Sequence, residues 1–485
     1  MSHSVPARTA SDEGLAHGSM SQAEVMAQSV AGIAPSAVMA TGPALIVLYA
    51  GSGAWLSYLA AMVVVLLIGL CVAQFGRRLA SSGSLYSYVA RGLGPSGAFA
   101  AGWALVIGYA CIAMVGVAGT GIYFGSLLTT LGLAGSSTAA QIVIFAVAAT
   151  GAAAFAYAGI RLSTRLGLVL EVISVLAVLI VLVVVVARHG LGLSGFGLDG
   201  VTFDGVTFGI VLAVLGFVGF ESSACLGAEA RNPHRTIPRA VLGSAVLVGV
   251  LYVFSAHASV VGFGGPEALS ESAAPVSDLA GRNGLGGISW IIDLGVTASF
   301  FAVAIASINA AARVLYTMGE EGVLPAALGR AHPRHRTPHV AIWAVAPAIG
   351  LVPIAMVVSG SSPLDVYAYT GTIGTFGYML AYLLMAVALP VFLRRRGEFQ
   401  PLSVVLPVVV VTALLYVFYK NVVPAPPAPY NLLPWIFLAV LAVGLAWYLA
   451  VRLTRPEQLR AVGATEEEPV PPVGPDDGTP LVSQT

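Results

Sequence analysis

Charged side chains are scarce in this chain of 485 residues, in which Lys, Arg, Asp and Glu together make up only 9%. A soluble protein typically carries about a quarter charged residues. With 58% hydrophobic residues and a mean hydropathy of +0.90, the chain cannot cover a water-facing surface of ordinary size. The composition therefore predicts an integral membrane protein. The formal net charge of zero argues against a nucleic-acid partner.

Cysteines and the short motifs of enzymes are also scarce. The three cysteines, Cys71, Cys111 and Cys225, lie in apolar runs, and their spacing indicates neither a disulfide framework nor a metal site. The sequence contains no nucleotide-binding G-x-x-x-x-G-K-[ST] loop, which disfavours direct coupling to ATP. It also contains no H-E-x-x-H and no G-x-S-x-G motif, so we expect no enzymatic activity. We expect no cofactor and no metal ion.

Long apolar runs, in contrast, are abundant. A membrane-spanning helix needs roughly 20 apolar residues. We therefore predict an all-α integral membrane protein with twelve transmembrane helices, at about residues 24–50, 54–76, 97–127, 139–159, 164–187, 206–228, 239–264, 287–315, 338–358, 365–393, 402–420 and 431–453. This helical domain, residues 23–455, lies between two tails, 1–22 and 456–485, whose polar composition predicts disorder.

The basic residues predict the orientation, because cytoplasmic loops of membrane proteins carry an excess of Lys and Arg. With the N-terminus in the cytoplasm, only Arg188, Arg282 and Lys420 of the 22 basic residues fall outside. All the others fall inside. This asymmetry predicts a multi-pass protein of the cell (inner) membrane with both termini in the cytoplasm.

Two of the predicted segments contain residues that interrupt a helix. The first contains AGIAPSA with Gly32 and Pro35, and the sixth contains GFVGFES with Gly216 and Gly219. The two breaks lie five helices apart, so two five-helix units in series have opposite orientations, which indicates a transporter built from inverted repeats. Free N–H groups at a break can hold a carboxylate, and free carbonyls can hold an ammonium group. An amino acid suits both.

Three stretches resemble the amino acid–polyamine–organocation superfamily, and the resemblance covers about residues 24–453. The family's loop between helices two and three is similar to SSGSLYSYVARGLGPSGAFAAGW (81–103). Its sixth-helix signature is similar to GFESSACLGAEARNPHRTIPRA (219–240). Its helix-eight exit is similar to INAAARVLYTMGEEGVLPAALGRAHPRHRTP (308–338). The resemblance implies a leucine-transporter-like fold. In that fold a five-plus-five inverted repeat, here about 24–190 and 205–395, has broken helices one and six, and two extra helices follow at about 400–454.

The resemblance also implies where a substrate binds. In the family, backbone N–H groups at the helix-one break hold the substrate's carboxylate, and carbonyls at the helix-six break hold its amine. Many members have a glycine-rich turn in helix one, whereas this chain has APSA, which leaves the N–H groups of Ser36 and Ala37 as donors. We add Tyr109 of the third segment as an aromatic candidate. The implied backbone positions are Ile33, Ala34, Pro35, Ser36, Ala37, Phe217, Val218, Gly219 and Phe220.

Two carboxylates lie inside apolar segments, where an ionisable group usually faces a cavity or the interior of the helix bundle. Glu221 can contact the substrate's amine, carry a coupling proton, or cap the second half of helix six. Glu171, in the fifth segment, is a second candidate for ion coupling. In some proton-coupled relatives a lysine of this helix stands in for a sodium ion, and Ser174 occupies that position here. A sodium ion would need oxygen ligands, for which Ser307 and Asn309 are candidates, unless these two only hydrogen-bond between helices.

Together these observations predict a permease that moves an amino acid or a related amine across the cell membrane. Transport would be coupled to an ion, with the proton favoured over sodium, or would occur by exchange. The expected partners are the small-molecule substrate, the coupling ion and the lipid bilayer. A transport-silent membrane sensor and a membrane-embedded enzyme are the alternatives.

Overall fold

Helices make up most of the structure, as the apolar runs predict. The computed structural model describes residues 20–79, 83–190, 196–197, 201–227, 230–272, 274–423 and 428–463. The predicted all-α class is confirmed for these ranges. Their α-helices are α1 (Gln22–Ile33), α2 (Pro35–Ala50), α3 (Ala54–Gly76), α4 (Leu85–Thr130), α5 (Thr138–Ala158), α6 (Ile160–His189), α7 (Phe203–Leu215), α8 (Pro233–Phe263), α9 (Pro266–Ser270), α10 (Pro275–Arg282), α11 (Ser289–Glu320), α12 (His339–Val358), α13 (Pro363–Arg395), α14 (Val405–Val422) and α15 (Leu433–Thr454).

Ten helical stretches among the described residues are long and apolar enough to cross a membrane. The first, Gln22–Gly76, runs over 55 residues and takes in two of the twelve predicted segments. The predicted segment 206–228 gives only α7, a helix of 13 residues that is followed by turns. The difference between ten and twelve therefore arises because the first two predicted segments form one continuous stretch and because the sixth gives only a short helix. Twelve crossings remain a prediction.

Both predicted tails lie largely outside the described residues, which begin at 20 and end at 463. The first part of the predicted C-terminal tail forms a 3₁₀ turn, Pro456–Ala461, which returns to the helices. The Gly463 N–H donates a hydrogen bond of 2.9 Å to Glu321, which follows α11 and is buried. The tyrosine Tyr86 at the start of α4 also donates to Glu321. This carboxylate therefore joins three separate parts of the chain.

The long helix α4 packs closely against α11 and α13 at small residues. Gly116 of α4 lies against the backbone of α11 at Phe300 and Ala304, and Gly108 lies under the ring of Tyr378 on α13. Small residues allow two helix backbones to approach, which matters in a membrane because lipid removes the hydrophobic drive for helices to associate. Near its start α4 is kinked at Gly94, whose φ of 74° is outside the helical region. The helices α4, α11 and α13 form the interior against which the interrupted helices lie.

We predict that this contact tolerates no additional methyl group. A Cβ added at Gly116 would lie 2.7 Å from the Ala304 nitrogen and 2.7 Å from the Phe300 oxygen, both backbone atoms. Gly243 in α8 is a matched control, because a Cβ there would meet only the Met26 methyl at 3.5 Å. In an open helix, alanine is more favourable than glycine by about 1 kcal/mol, whereas overpacking costs about 1–3 kcal/mol.

Gly116→Ala should therefore lower the apparent melting temperature of the detergent-solubilised protein. Gly243→Ala should leave it unchanged or raise it. Equal effects of the two substitutions would contradict the close packing of α4 against α11.

Candidate functional site

The first helix break lies at Ala34, between α1 and α2. Ala34 has φ 50° and ψ 67°, a left-handed conformation that costs a non-glycine residue roughly 1–2 kcal/mol. Its N–H still donates to the Val30 carbonyl, which completes α1. Pro35 then starts α2, where its fixed φ suits the first helical position and its missing N–H leaves no donor unpaired. The predicted break in the first segment is therefore present, one residue before the proline.

The second break extends over residues 216–221, where the chain forms turns after α7. Gly219 has φ +97°, a conformation that L side chains rarely adopt. A 3₁₀ helix, Ser222–Leu226, follows where the second half of the helix was expected. Glu221 precedes this short helix without capping it, since its side chain makes no capping hydrogen bond there. The capping role that the sequence left open for Glu221 is thus not observed.

The two breaks pack directly against each other. A Cβ added at Gly219 would lie 2.6 Å from the Gly32 carbonyl oxygen, and one added at Gly32 would lie 2.7 Å from Ser222 Oγ. Ser29 Oγ of α1 donates to the Phe220 carbonyl at 2.9 Å. Ser222 Oγ donates in the other direction, to the Gln28 carbonyl, at 3.3 Å. The interruptions that lie far apart in sequence therefore form one site.

The carboxylate of Glu221 is fully buried and accepts two hydrogen bonds from tyrosines. Tyr109 of α4 donates to Oε1 at 3.1 Å, and Tyr382 of α13 donates to Oε2 at 2.6 Å. Tyr109, the aromatic candidate of the third segment, thus contacts the sixth segment through Glu221. Tyr382 was missed, because nothing in the local sequence of α13 distinguishes it from a packing residue 161 positions away from Glu221.

The carboxylate of Glu171 lies at the other break and is also fully buried. Its Oε1 accepts a hydrogen bond of 2.9 Å from the Ser36 N–H, in the first turn of α2. Its Oε2 accepts one of 2.5 Å from Ser299 Oγ of α11. Ser299 is a second residue that the sequence analysis missed. The Ser36 N–H, expected to be available to a substrate, is therefore paired with a side chain of the protein.

The other candidates for ion coupling do not converge on this carboxylate. Ser174, one turn after Glu171 on α6, faces Gly295 of α11, and its buried hydroxyl has no hydrogen-bond partner in the described part of the chain. Ser307 and Asn309 are buried on α11, but Ser307 lies two turns beyond Ser299, about 12 Å along the helix. Within the described ranges, no cluster of His, Cys, Asp and Glu is suited to a metal ion.

One backbone acceptor at the second break has no partner of its own. The Gly216 carbonyl accepts from Tyr252, the Gly219 carbonyl from the Ser222 N–H, and the Phe220 carbonyl from Ser29. No hydrogen bond among the described residues uses the Val218 carbonyl. This carbonyl and the carboxylate of Glu221, three residues later, are acceptors only. Each can accept a hydrogen bond from an ammonium group.

Comparison with known proteins gives a match over most of the chain. The model of the family described as "Amino acid permease" matches residues 24–460. The chain is 26% identical to the branched-chain amino acid permease BcaP of Bacillus subtilis over 374 residues, which is 72% of this chain and 75% of the relative. It is 25% identical to the methylthioribose transporter of the same organism, over 79% of this chain and 82% of the relative. Its identity to the serine/threonine exchanger SteT of Bacillus subtilis is 26%, over 75% and 81%.

We predict that the two breaks are energetically coupled through Gly32 and Gly219. Gly219→Ala adds a methyl against the Gly32 carbonyl and should push α1 away from the turn. Once α1 has moved, Gly32→Ala should cost less, so the double variant should be more stable than the sum of the single effects predicts. The apparent melting temperature measures each effect.

Gly264 provides the control for this cycle. It also has a positive φ, +78°, but a Cβ there would meet no atom within 4 Å. Gly264→Ala therefore carries the same kind of backbone strain without the contact, and its effect should add to that of Gly32→Ala. Additive effects of the Gly32 and Gly219 substitutions would contradict direct packing of the two breaks.

Proposed function

Because the chain belongs to the amino acid permease family of the amino acid–polyamine–organocation superfamily, we propose that it is a secondary active transporter of an amino acid. We propose that it crosses the cell membrane twelve times, with both termini in the cytoplasm and with five-plus-five inverted repeats. The ten long apolar helices and the interruption of α1/α2 and of the chain after α7 support this arrangement. The molecule is a permease and not an enzyme in this proposal, and it needs no cofactor.

The observation that carries the proposal is the pairing of the two breaks. The start of α2 carries the backbone N–H of Ser36, which is bound to Glu171, and the turn after α7 carries the carbonyl of Val218, three residues before Glu221. A half-helix N-terminus attracts negative charge, and exposed carbonyls attract positive charge. A zwitterion would place its carboxylate at the first break and its ammonium group at the second. Backbone groups would thus recognise the part that all α-amino acids share.

Glu221 links the interrupted helices, which would move during transport, to the helices α4 and α13 of the core. It belongs to the interrupted segment, whereas its two donors, Tyr109 and Tyr382, belong to α4 and α13. An ammonium group that binds Glu221 would compete with, or reorganise, these two hydrogen bonds. Binding would therefore change how firmly the interrupted helices are attached to the core, which is what alternating access requires. The buried carboxylates, Glu171 and Glu221, are the candidate carriers of a coupling proton, whereas Ser174, Ser307 and Asn309 would serve a sodium ion.

The first substrates to test are branched-chain amino acids, because two relatives are named for them, in Bacillus subtilis and in Lactococcus lactis. Purified protein in proteoliposomes should exchange internal for external leucine, isoleucine or valine, and should accumulate them when a pH gradient is imposed. Serine, threonine and simple amines complete the panel. Stabilisation by an amino acid without any flux would favour a sensor, and chemical conversion of the amino acid would favour an enzyme.

We predict that Glu221→Gln weakens substrate binding more than Tyr382→Phe does. Glutamine keeps the shape of the side chain but leaves the ammonium group without its anion, and a hydrogen bond to a charged group contributes about 1.5–3 kcal/mol. The apparent affinity should fall by roughly tenfold or more, and exchange and accumulation should fall together. Tyr382→Phe removes one donor and keeps the charge, so its effect should be smaller. Loss of pH-driven accumulation with exchange intact in Glu221→Gln would instead make Glu221 the proton carrier.

A further inference from the structure

The first turn of α2 has one outward N–H donor, and the protein itself uses it. Pro35 has no N–H, and the N–H groups of Ala37 and Val38 both turn back to the Ala34 carbonyl, at 3.1 and 3.3 Å. The remaining donor, the Ser36 N–H, is bound to Glu171. A carboxylate of α6 therefore occupies the position at which the carboxylate of an amino acid would bind.

Two hydroxyl groups close to Glu171 in the structure or in the sequence are completely buried, those of Ser36 and Ser174. The Ser36 side chain interacts with Glu171, whereas the Ser174 hydroxyl makes no hydrogen bond in the described ranges. One lies at the N-terminus of α2 and the other lies one turn after Glu171 on α6. A buried hydroxyl without a partner is costly, which points to a ligand that satisfies it. Ser36 therefore faces Glu171 with its side chain as well as with its N–H, whereas Ser174 faces Gly295 of α11.

The side chains that surround Glu171 do not neutralise it. Neither of its hydrogen-bond donors, Ser36 and Ser299, is charged. Glu171 interacts electrostatically with Tyr252 of α8, a phenol that donates to the Gly216 carbonyl at 2.7 Å.

The helices that pack against α6 are α1, α2, α5, α8, α10 and α11. Several of their titratable groups interact with other residues. These pairs are Glu24 with Ser21, His257 with Phe196, Asp278 with Ser272, and Asp293 with Ser126 and Ser277. The carboxylate of a bound amino acid would lie beside that of Glu171. Two adjacent buried carboxylates cannot both stay ionised, so one of them must hold a proton.

We propose that Glu171 competes with the carboxylate of the substrate for the Ser36 N–H, so that an amino acid binds only when Glu171 is protonated. This inference rests on the proposed function and specifies the coupling ion and the class of substrate. On binding, a proton from solution forms an O–H bond on Glu171, which gives up the Ser36 N–H to the incoming carboxylate. An amine without a carboxylate leaves Glu171 ionised and in place. Amino acids therefore bind together with a proton, whereas simple amines bind without one.

The test uses two probes that differ only in this group: L-leucine and 3-methylbutylamine, which is leucine without its carboxylate. The dissociation constant of each is measured between pH 5 and pH 8 for the full-length protein in detergent. Because leucine binding takes up one proton, its dissociation constant should rise about tenfold per pH unit above the pH at which Glu171 ionises. The constant for 3-methylbutylamine should not change over this range.

Three variants assign the effect. Glu171→Gln cannot ionise, so leucine should bind it with a constant that is independent of pH and close to the low-pH value of the wild type. Asp293→Asn removes another carboxylate, one on α11 that is bound by Ser126 and Ser277, and should keep the wild-type pH dependence. Glu221→Gln should bind leucine more weakly at every pH but with the same slope.

The outcomes separate this inference from the proposed function. A pH-independent leucine constant in the wild type, or an unchanged slope in Glu171→Gln, overturns the competition while leaving transport of amino acids intact. Loss of the slope in Glu221→Gln but not in Glu171→Gln overturns it as well. If leucine binds only to Glu171→Gln and the amine binds to both, the competition is supported in its extreme form. If neither probe binds either protein, the proposed function fails for this substrate, and the inference fails with it.

Discussion

The structure depends on one requirement: in an apolar environment every backbone N–H and C=O group needs a partner. A continuous helix meets this requirement by itself, but the breaks at Ala34 and at residues 216–221 do not. They meet it through their own turns, through the side chains of Tyr252 and Glu171, and across their contact, where Ser29 donates to the Phe220 carbonyl. The pairing also concentrates the few groups that can bind a charged molecule in one place.

The need for partners applies even more strongly to the buried charges of the site. A carboxylate buried without partners is very costly, and each of the two in this site is given two donors. Glu221 receives two phenols from helices of the core, and Glu171 receives a backbone N–H and a serine. Neither is paired with a cation in these contacts. The two carboxylates therefore have neutral donors in these contacts, which is why the proposed function assigns a cation or a proton to them.

The sequence predicts the breaks well because their causes are local. Pro35 cannot continue a helix from α1, and Gly219 adopts a φ of +97° that other residues avoid, so both positions can be recognised without knowledge of the fold. The apolar runs predict the helices for the same reason. The partners of the carboxylates could not be predicted, since Ser299 lies 128 positions from Glu171 and each is an ordinary residue of its own helix. Those contacts exist only once α4, α6, α11 and α13 have packed.

The difference between local backbone features and side-chain contacts formed on packing also explains what family membership carries over to this chain. The proposed recognition of a zwitterion by backbone groups needs only the two breaks, and it does not require the side chains of the amino acid transporters that are 26% identical to this chain. The chain's own selectivity must come from side chains placed at the breaks. Glu171 is such a side chain, because it presents a carboxylate to the backbone donor that a substrate carboxylate needs. In the proposed competition, such a site distinguishes substrates by whether they carry a carboxylate, and protonation of Glu171 makes that choice reversible.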